Sequence, residues 1–146
     1  MSAQQNLEAK INELASLVSV LENFYESVIS RIYLITQAIE ETRAAKSAIE
    51  ILPEAGEAEI IVPVGGDVLL KTKVDSSSKI MVKIGGGVIM TKKKAEALEF
   101  LNKRLEELES ALSNAQQDKK SIEERLEAAR YELNELLKRA RNVQQA

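Results

Sequence analysis

The chain has 146 residues, about one domain's worth, with 20 Lys and Arg against 23 Asp and Glu and a net charge of −3. It contains no Cys and no His, which excludes disulfides, thiolate nucleophiles, Cys- or His-based metal sites and the commonest general base. The near balance of charge gives no general attraction to nucleic acid or to an anionic membrane.

The first predicted element is a helix over residues 4–51. Apolar residues recur at Leu7, Ile11, Leu14, Val18, Leu21, Tyr25, Val28, Ile32, Ile35 and Ile39, then through Thr42, Lys46 and Ile49. The alternating spacings of four and three are a heptad seam, with Leu7, Leu14, Leu21 and Val28 at d and Ile11, Val18, Tyr25 and Ile32 at a. The opening "MSAQQNLEAK" has neither the basic nor the apolar region of a signal peptide. No apolar run reaches the roughly 20 residues of a membrane span. A soluble, cytoplasmic protein is expected. Pro53 and Gly56 end the helix.

The middle, residues 58–90, changes to period two. Ile60, Val62 and Val64 alternate with Ile61 and Pro63, and Val68, Leu70, Thr72 and Val74 alternate with Leu69, Lys71 and Lys73. Beyond the turn "DSSS", Asp75 to Ser78, the sequence "KIMVKIGGGVIM" repeats the pattern. Four strands in two hairpins follow, with Gly65–Gly66 as the first two-residue turn and Pro63 suited to an edge. So small a patch cannot bury both faces, and open edges invite other chains. The hairpins are therefore expected to be an assembly module. The oligomerisation residues are expected to be Ile60, Val62, Val64, Val68, Leu70, Ile80, Val82, Ile84 and Val88. "VGGD" and "IGGGV" lack the pattern of a phosphate-binding loop, and tight turns are the favoured reading.

The last element is a helix over residues 92–146, with a second seam from Leu98 through Leu105, Leu112, Ile122, Leu126, Leu133 and Leu136 to Val143. Thr91 is its expected cap. Lys92, Lys93 and Lys94 then stand at the positive end of the helix dipole, which is locally unfavourable. Each helix spans about 70 Å at 1.5 Å per residue and is unstable alone with one stripe exposed. An antiparallel pairing resolves this. Partners whose numbers sum to 147 place Leu21 on Leu126 and Val18 on Ala129, and every a meets a d. Val28–Lys119 and Lys46–Leu101 are the imperfect layers, where lysine stems lie on the seam and lift their charge to water. The paired glutamates Glu40–Glu41 and Glu106–Glu107 read as flank charges, not as acids or metal ligands. The fold class is α+β, mostly α: a long antiparallel two-helix coiled coil joined by two β-hairpins.

A long helix, "EIIVPVGGDVLLKTKV", "KIMVKIGGGVIM", then "AEALEFLNKRLEELESAL" resembles an α-type prefoldin subunit over essentially the whole chain. The two hairpins separate α-type from β-type subunits, which carry one. The resemblance implies a heterohexamer of two α-type and four β-type subunits. It implies ATP-independent capture of non-native polypeptides and their delivery to a group II chaperonin. No enzyme activity, catalytic residue, metal or cofactor is expected, and no nucleic-acid or membrane partner. A holdase must expose apolar surface. The candidate substrate-binding residues lie toward the free helix ends: Leu7, Ile11, Leu14, Leu133, Leu136 and Val143 on the seam, and Leu17, Val20 and Leu137 off it. Phe100 is expected to pack near the strands, and Tyr33 and Leu34 lie off the seam. The alternative reading is a structural filament or homo-oligomer built by edge-to-edge addition of hairpins.

Overall fold

The computed structural model describes residues 2–145. Its elements are α1 (Ala3–Glu50), β1 (Glu57–Gly65), β2 (Val68–Asp75), β3 (Ile80–Gly85), β4 (Val88–Lys92) and α2 (Lys94–Gln145). Two long helices and two antiparallel hairpins are the architecture the residue pattern implies. The chain divides into two compact units: one holds the residues up to Thr36 and from Ser110 onward, the other Gln37–Glu109.

In the first unit the start of α1 is fixed by a reciprocal cap. The Ser2 hydroxyl accepts from the Gln5 amide at 3.2 Å, and the Gln5 side-chain carbonyl accepts from the Ser2 amide at 3.1 Å. Two orphan backbone donors are thereby satisfied. The pairing with α2 is antiparallel. Leu21, Leu126 and Ala129 form one buried cluster with Val18 packed against it, the layers in which Leu21 faces Leu126 and Val18 faces Ala129. Leu14, Val28, Ala115 and Leu136 extend the same buried line. Flanking polar pairs follow this register: Glu22 with Arg130 at 3.0 Å, Tyr25 with Glu123 at 3.3 Å and Arg31 with Asp118 at 2.7 Å. Lys119 enters the seam as a half-buried stem, and its ammonium reaches Glu123 one turn on, at 3.7 Å.

In the second unit the seam continues through buried Ile39, Ala97 and Leu105. Thr42 is buried there, and its hydroxyl donates to the Ala38 carbonyl at 2.6 Å, so no polar group is stranded. Lys46 repeats the arrangement of Lys119, reaching Glu50 at 3.8 Å. Beyond α1, Leu52 closes a last tight turn on Ile49 at 3.2 Å before Pro53. Each hairpin forms its own two-stranded sheet, β1 with β2 and β3 with β4.

The first turn is centred one residue later than the Gly65–Gly66 reading. Gly66 and Asp67, at φ 57° and 61°, are its central pair, and Gly65 ends β1. A turn with two positive φ values matches the twist of the flanking strands, and aspartate tolerates that region better than most residues. Gly86–Gly87 does the same for β3–β4. Thr91 does not cap α2. It pairs with Met81 inside β4, so the helix starts two residues later than the sequence pattern suggests.

Lys94 takes the role that position made available. Its ammonium donates to the carbonyls of Glu50 at 3.0 Å and Leu52 at 2.9 Å. A cation on the last carbonyls of α1 is favourable for that helix, although the same charge opposes the dipole at the start of α2. The basic run is thus partly a tie between the two helices at the root of the hairpins.

Candidate interaction surfaces

The hairpin module presents its apolar side chains outward. Val62, Val64, Val68, Leu70, Ile84 and Val88 are exposed, while Ile60, Ile80 and Val82 are half-buried at the base of the strands. All nine expected oligomerisation residues therefore remain wholly or partly open. The opposite strand positions, Ile61, Leu69, Met81 and Ile89, are exposed as well. The period-two pattern in the sequence contains them, but choosing one face for assembly left them out.

Strand β3, half-buried at Ile80 and Val82, lies over the helix pair. A groove of about 410 Å³ there is lined by Ala38, Ala45 and Ile49 of α1, Met81 of β3, and Phe100 and Leu101 of α2. Phe100 is half-buried in it, as a residue near the strands should be. The link between the hairpins is an aspartate turn. Asp75 Oδ1 accepts from the Ser77 amide at 2.8 Å and from the Ser77 hydroxyl, and the Asp75 amide donates to the Ser78 hydroxyl at 2.9 Å. Hydrogen bonds from the Ser77 hydroxyl and amide, joined by the Ser78 amide, hold the Asp75 carboxyl below its ordinary value of 3.8. On the hairpin's second face Glu59 meets Lys71 and Glu57 meets Lys73, each at 3.8 Å.

In the other unit the candidate substrate-binding residues separate into two sets. Leu14 and Leu136 are buried between the helices, and Leu7, Ile11 and Leu133 are half-buried there. These contact another chain only where the helices part. Leu17, Val20, Leu137 and Val143 are exposed while the pair stays closed. Phe24, Ile29 and Tyr131 join them as large exposed apolar side chains that the seam analysis passed over. Leu17, Val20 and Phe24 succeed one another at helical spacings of three and four, so they form one stripe beside the seam. Tyr33 and Leu34 are also exposed. The heptad pattern carried this signal: a large apolar residue outside a and d is surplus to the pairing.

The glycine turns connect strands and open no helix, so they are not built as phosphate cradles. Among the described residues no group of three or more carboxylates is placed to hold a metal ion, and no helix is long and apolar enough to cross a membrane.

Comparison with known proteins places these features in context. A family model described as "Prefoldin subunit" matches residues 25–139. The chain is 28% identical over 130 residues to the prefoldin subunit alpha of Nitrosopumilus maritimus, covering 89% of this chain and 90% of that protein. It is 32% identical over 114 residues to the prefoldin subunit alpha of Thermofilum pendens, covering 77% and 88%. A cryo-EM structure of filamentous PFD from Methanocaldococcus jannaschii has the same fold, with a TM-score of 0.62, 20% identity, and coverage of 83% of this chain and 98% of that one.

Proposed function

Because the chain belongs to the prefoldin subunit family, we propose that it is the α-type component of a chaperone that captures non-native polypeptides without nucleotide and delivers them to a group II chaperonin. It assembles with other prefoldin subunits. The finer reading is a heterohexamer of two copies with four β-type subunits, working in the cytoplasm as a non-enzymatic holdase. The observation that carries the proposal is the exposure of large apolar side chains in two separate places. One is the hairpin module, where Val62, Val64, Val68 and Leu70 need other strands or sheets to cover them. The other is the helix pair, where Leu17, Val20, Phe24, Leu137 and Val143 stay open.

An unfolded chain exposes scattered apolar segments, so its receptor must tolerate variety. Each exposed side chain contributes about 1.5–3 kcal/mol if a client buries it fully, and less on partial burial. One helix pair therefore binds weakly. Several pairs held on one platform raise the effective concentration, and capture becomes firm while each contact still dissociates readily.

The test is suppression of aggregation of a denatured client, by this chain with and without a β-type partner. Trimming about 15 residues, some four helical turns, from each helix end removes Leu137 and Val143 but leaves Leu17, Val20 and Phe24, and is expected to lower suppression sharply while the number of subunits in the oligomer stays the same. Full activity after trimming would refute capture by the helix ends.

The filament reading has a specific observation behind it. The chain shares its fold with a protein described as filamentous, and its hairpins keep open edges. Mass measurement of the chain alone, then with β-type subunits, separates open-ended growth from a closed hexamer.

A further inference from the structure

The helix pair of the first unit has two unlike sides. Glu22 and Phe24 stand two positions apart on α1 and so lie on opposite sides of it. On the Glu22 side a groove is lined by Glu22, Glu26, Glu123 and Glu127, and its one cation, Arg130, is bound to Glu22 at 3.0 Å. That side is strongly acidic. On the other side a groove of about 310 Å³ is lined by Phe24, Ser27, Arg31, Asp118, Ser121 and Arg125. Its one carboxylate, Asp118, is already held by Arg31 at 2.7 Å. Arg125 has no hydrogen bond, ion pair or ring contact among the described residues. The groove therefore offers a free guanidinium beside a phenyl ring that is 55% exposed.

The apolar stripe runs into this groove and not into the acidic one. Leu17, Phe24 and Arg31 follow one another at intervals of seven residues, about two helical turns, so they share a side of α1. A segment that lays an apolar side chain on Phe24 brings its neighbouring residues to Arg125, with the hydroxyls of Ser27 and Ser121 in the same groove. A guanidinium presents a planar fork of donors that matches a carboxylate. A lysine or arginine in the same place meets two arginines and a carboxylate already engaged. Its attraction lies on the acidic side, away from the stripe.

We infer that the Phe24 groove selects apolar segments that carry an aspartate or glutamate next to the apolar residue, with Arg125 as the group that decides the preference. This rests on the reading of Leu17, Val20 and Phe24 as a capture surface. An apolar stripe alone accepts any apolar segment, because burial of apolar area has no direction. A free cation at its end adds discrimination by charge at little cost in release, since an exposed ion pair is weak.

The experiment uses the full chain, alone and assembled with β-type subunits, and three fluorescent peptides. Each peptide has the same core of leucine and phenylalanine, flanked by glutamate, glutamine or lysine. Binding is read by fluorescence anisotropy at low salt. The glutamate peptide is expected to bind about fivefold more tightly than the glutamine peptide, the worth of one exposed ion pair, and the lysine peptide more weakly than either. The gap between them is expected to close as salt rises. Arg125→Gln is expected to erase the preference for glutamate, and Arg125→Glu to reverse it, each with helical circular dichroism unchanged. Equal binding of the glutamate and glutamine peptides to wild type, or the original order kept in Arg125→Glu, overturns the inference. The capture reading fails on a different result: no binding of any of the three peptides, or undiminished binding of all three when Leu17, Val20 and Phe24 are replaced by serine.

Discussion

Leu21 is 1% exposed, the only large side chain so fully buried among the described residues. It packs with Leu126, Ala129 and Val18. Replacing it with alanine removes the buried side-chain atoms and leaves a space that the neighbours fill only in part. Leucine-to-alanine changes in cores cost about 2–5 kcal/mol, rising with the residual cavity. A single layer between two helices can relax more than a globular core, which favours the lower part of that range. Alanine's better helix propensity returns about 0.2 kcal/mol. The expected loss is therefore about 2.5 kcal/mol. By comparison, exposed ion pairs such as Glu22–Arg130 and Arg31–Asp118 are each worth about 0.5 kcal/mol, so the seam outweighs its flanks. Urea unfolding followed at 222 nm measures the change. Leu17→Ala, at an exposed position on the same helix, is the control and is expected to cost under about 1 kcal/mol. Leu21→Ala combined with Ala129→Leu restores volume to the same buried cluster, one layer away, and is expected to recover about half of the loss. A Leu21→Ala protein no less stable than the Leu17→Ala control would refute the assignment of Leu21 to the layer that holds the pair together.

Lys94→Met keeps the apolar stem and removes both hydrogen bonds to the end of α1, at an expected cost of about 1 kcal/mol after allowance for solvent; amide hydrogen exchange is expected to quicken around Leu52 and the hairpin root. The Asp75 turn depends on pH in a defined direction. Its carboxyl titrates below 3.8 in the folded state, so its contribution is fully present above the unfolded value and is lost as pH falls through the lower folded value. Exchange at Ser77 is expected to rise in that acid window, and Asp75→Asn to show the raised rate already at neutral pH. Arg31→Ala is expected to cost about 0.5 kcal/mol or less despite its 2.7 Å contact with Asp118, because both side chains are more than half exposed. A double-mutant cycle with Asp118→Ala measures it. Replacing Leu17, Val20 and Phe24 together with serine is expected to lower client capture strongly while thermal unfolding shifts little, since the stripe lies outside the seam.

The sequence by itself determined the helices, their pairing and the count of hairpins. Heptad spacing is a property of residue order, and an exposed stripe on each of two long helices has one economical cover, the other helix. Leu21 on Leu126 and Val18 on Ala129 follow from that spacing and from the reversal at the hairpins. Tertiary structure decided what depends on neighbours distant in the chain. Thr91 reads as a helix cap until Met81 recruits it as a strand partner, and the three lysines read as a liability until Lys94 is seen on the carbonyls of Glu50 and Leu52. Gly65–Gly66 and Gly66–Asp67 are both plausible turn centres, and only the strand register chooses between them. Which apolar residues are surplus was legible in the heptad pattern, and packing decided how far each stays open. Phe24 and Tyr131 are core-type residues that fall outside a and d, and a two-helix seam, which covers one stripe per helix and no more, leaves them in water.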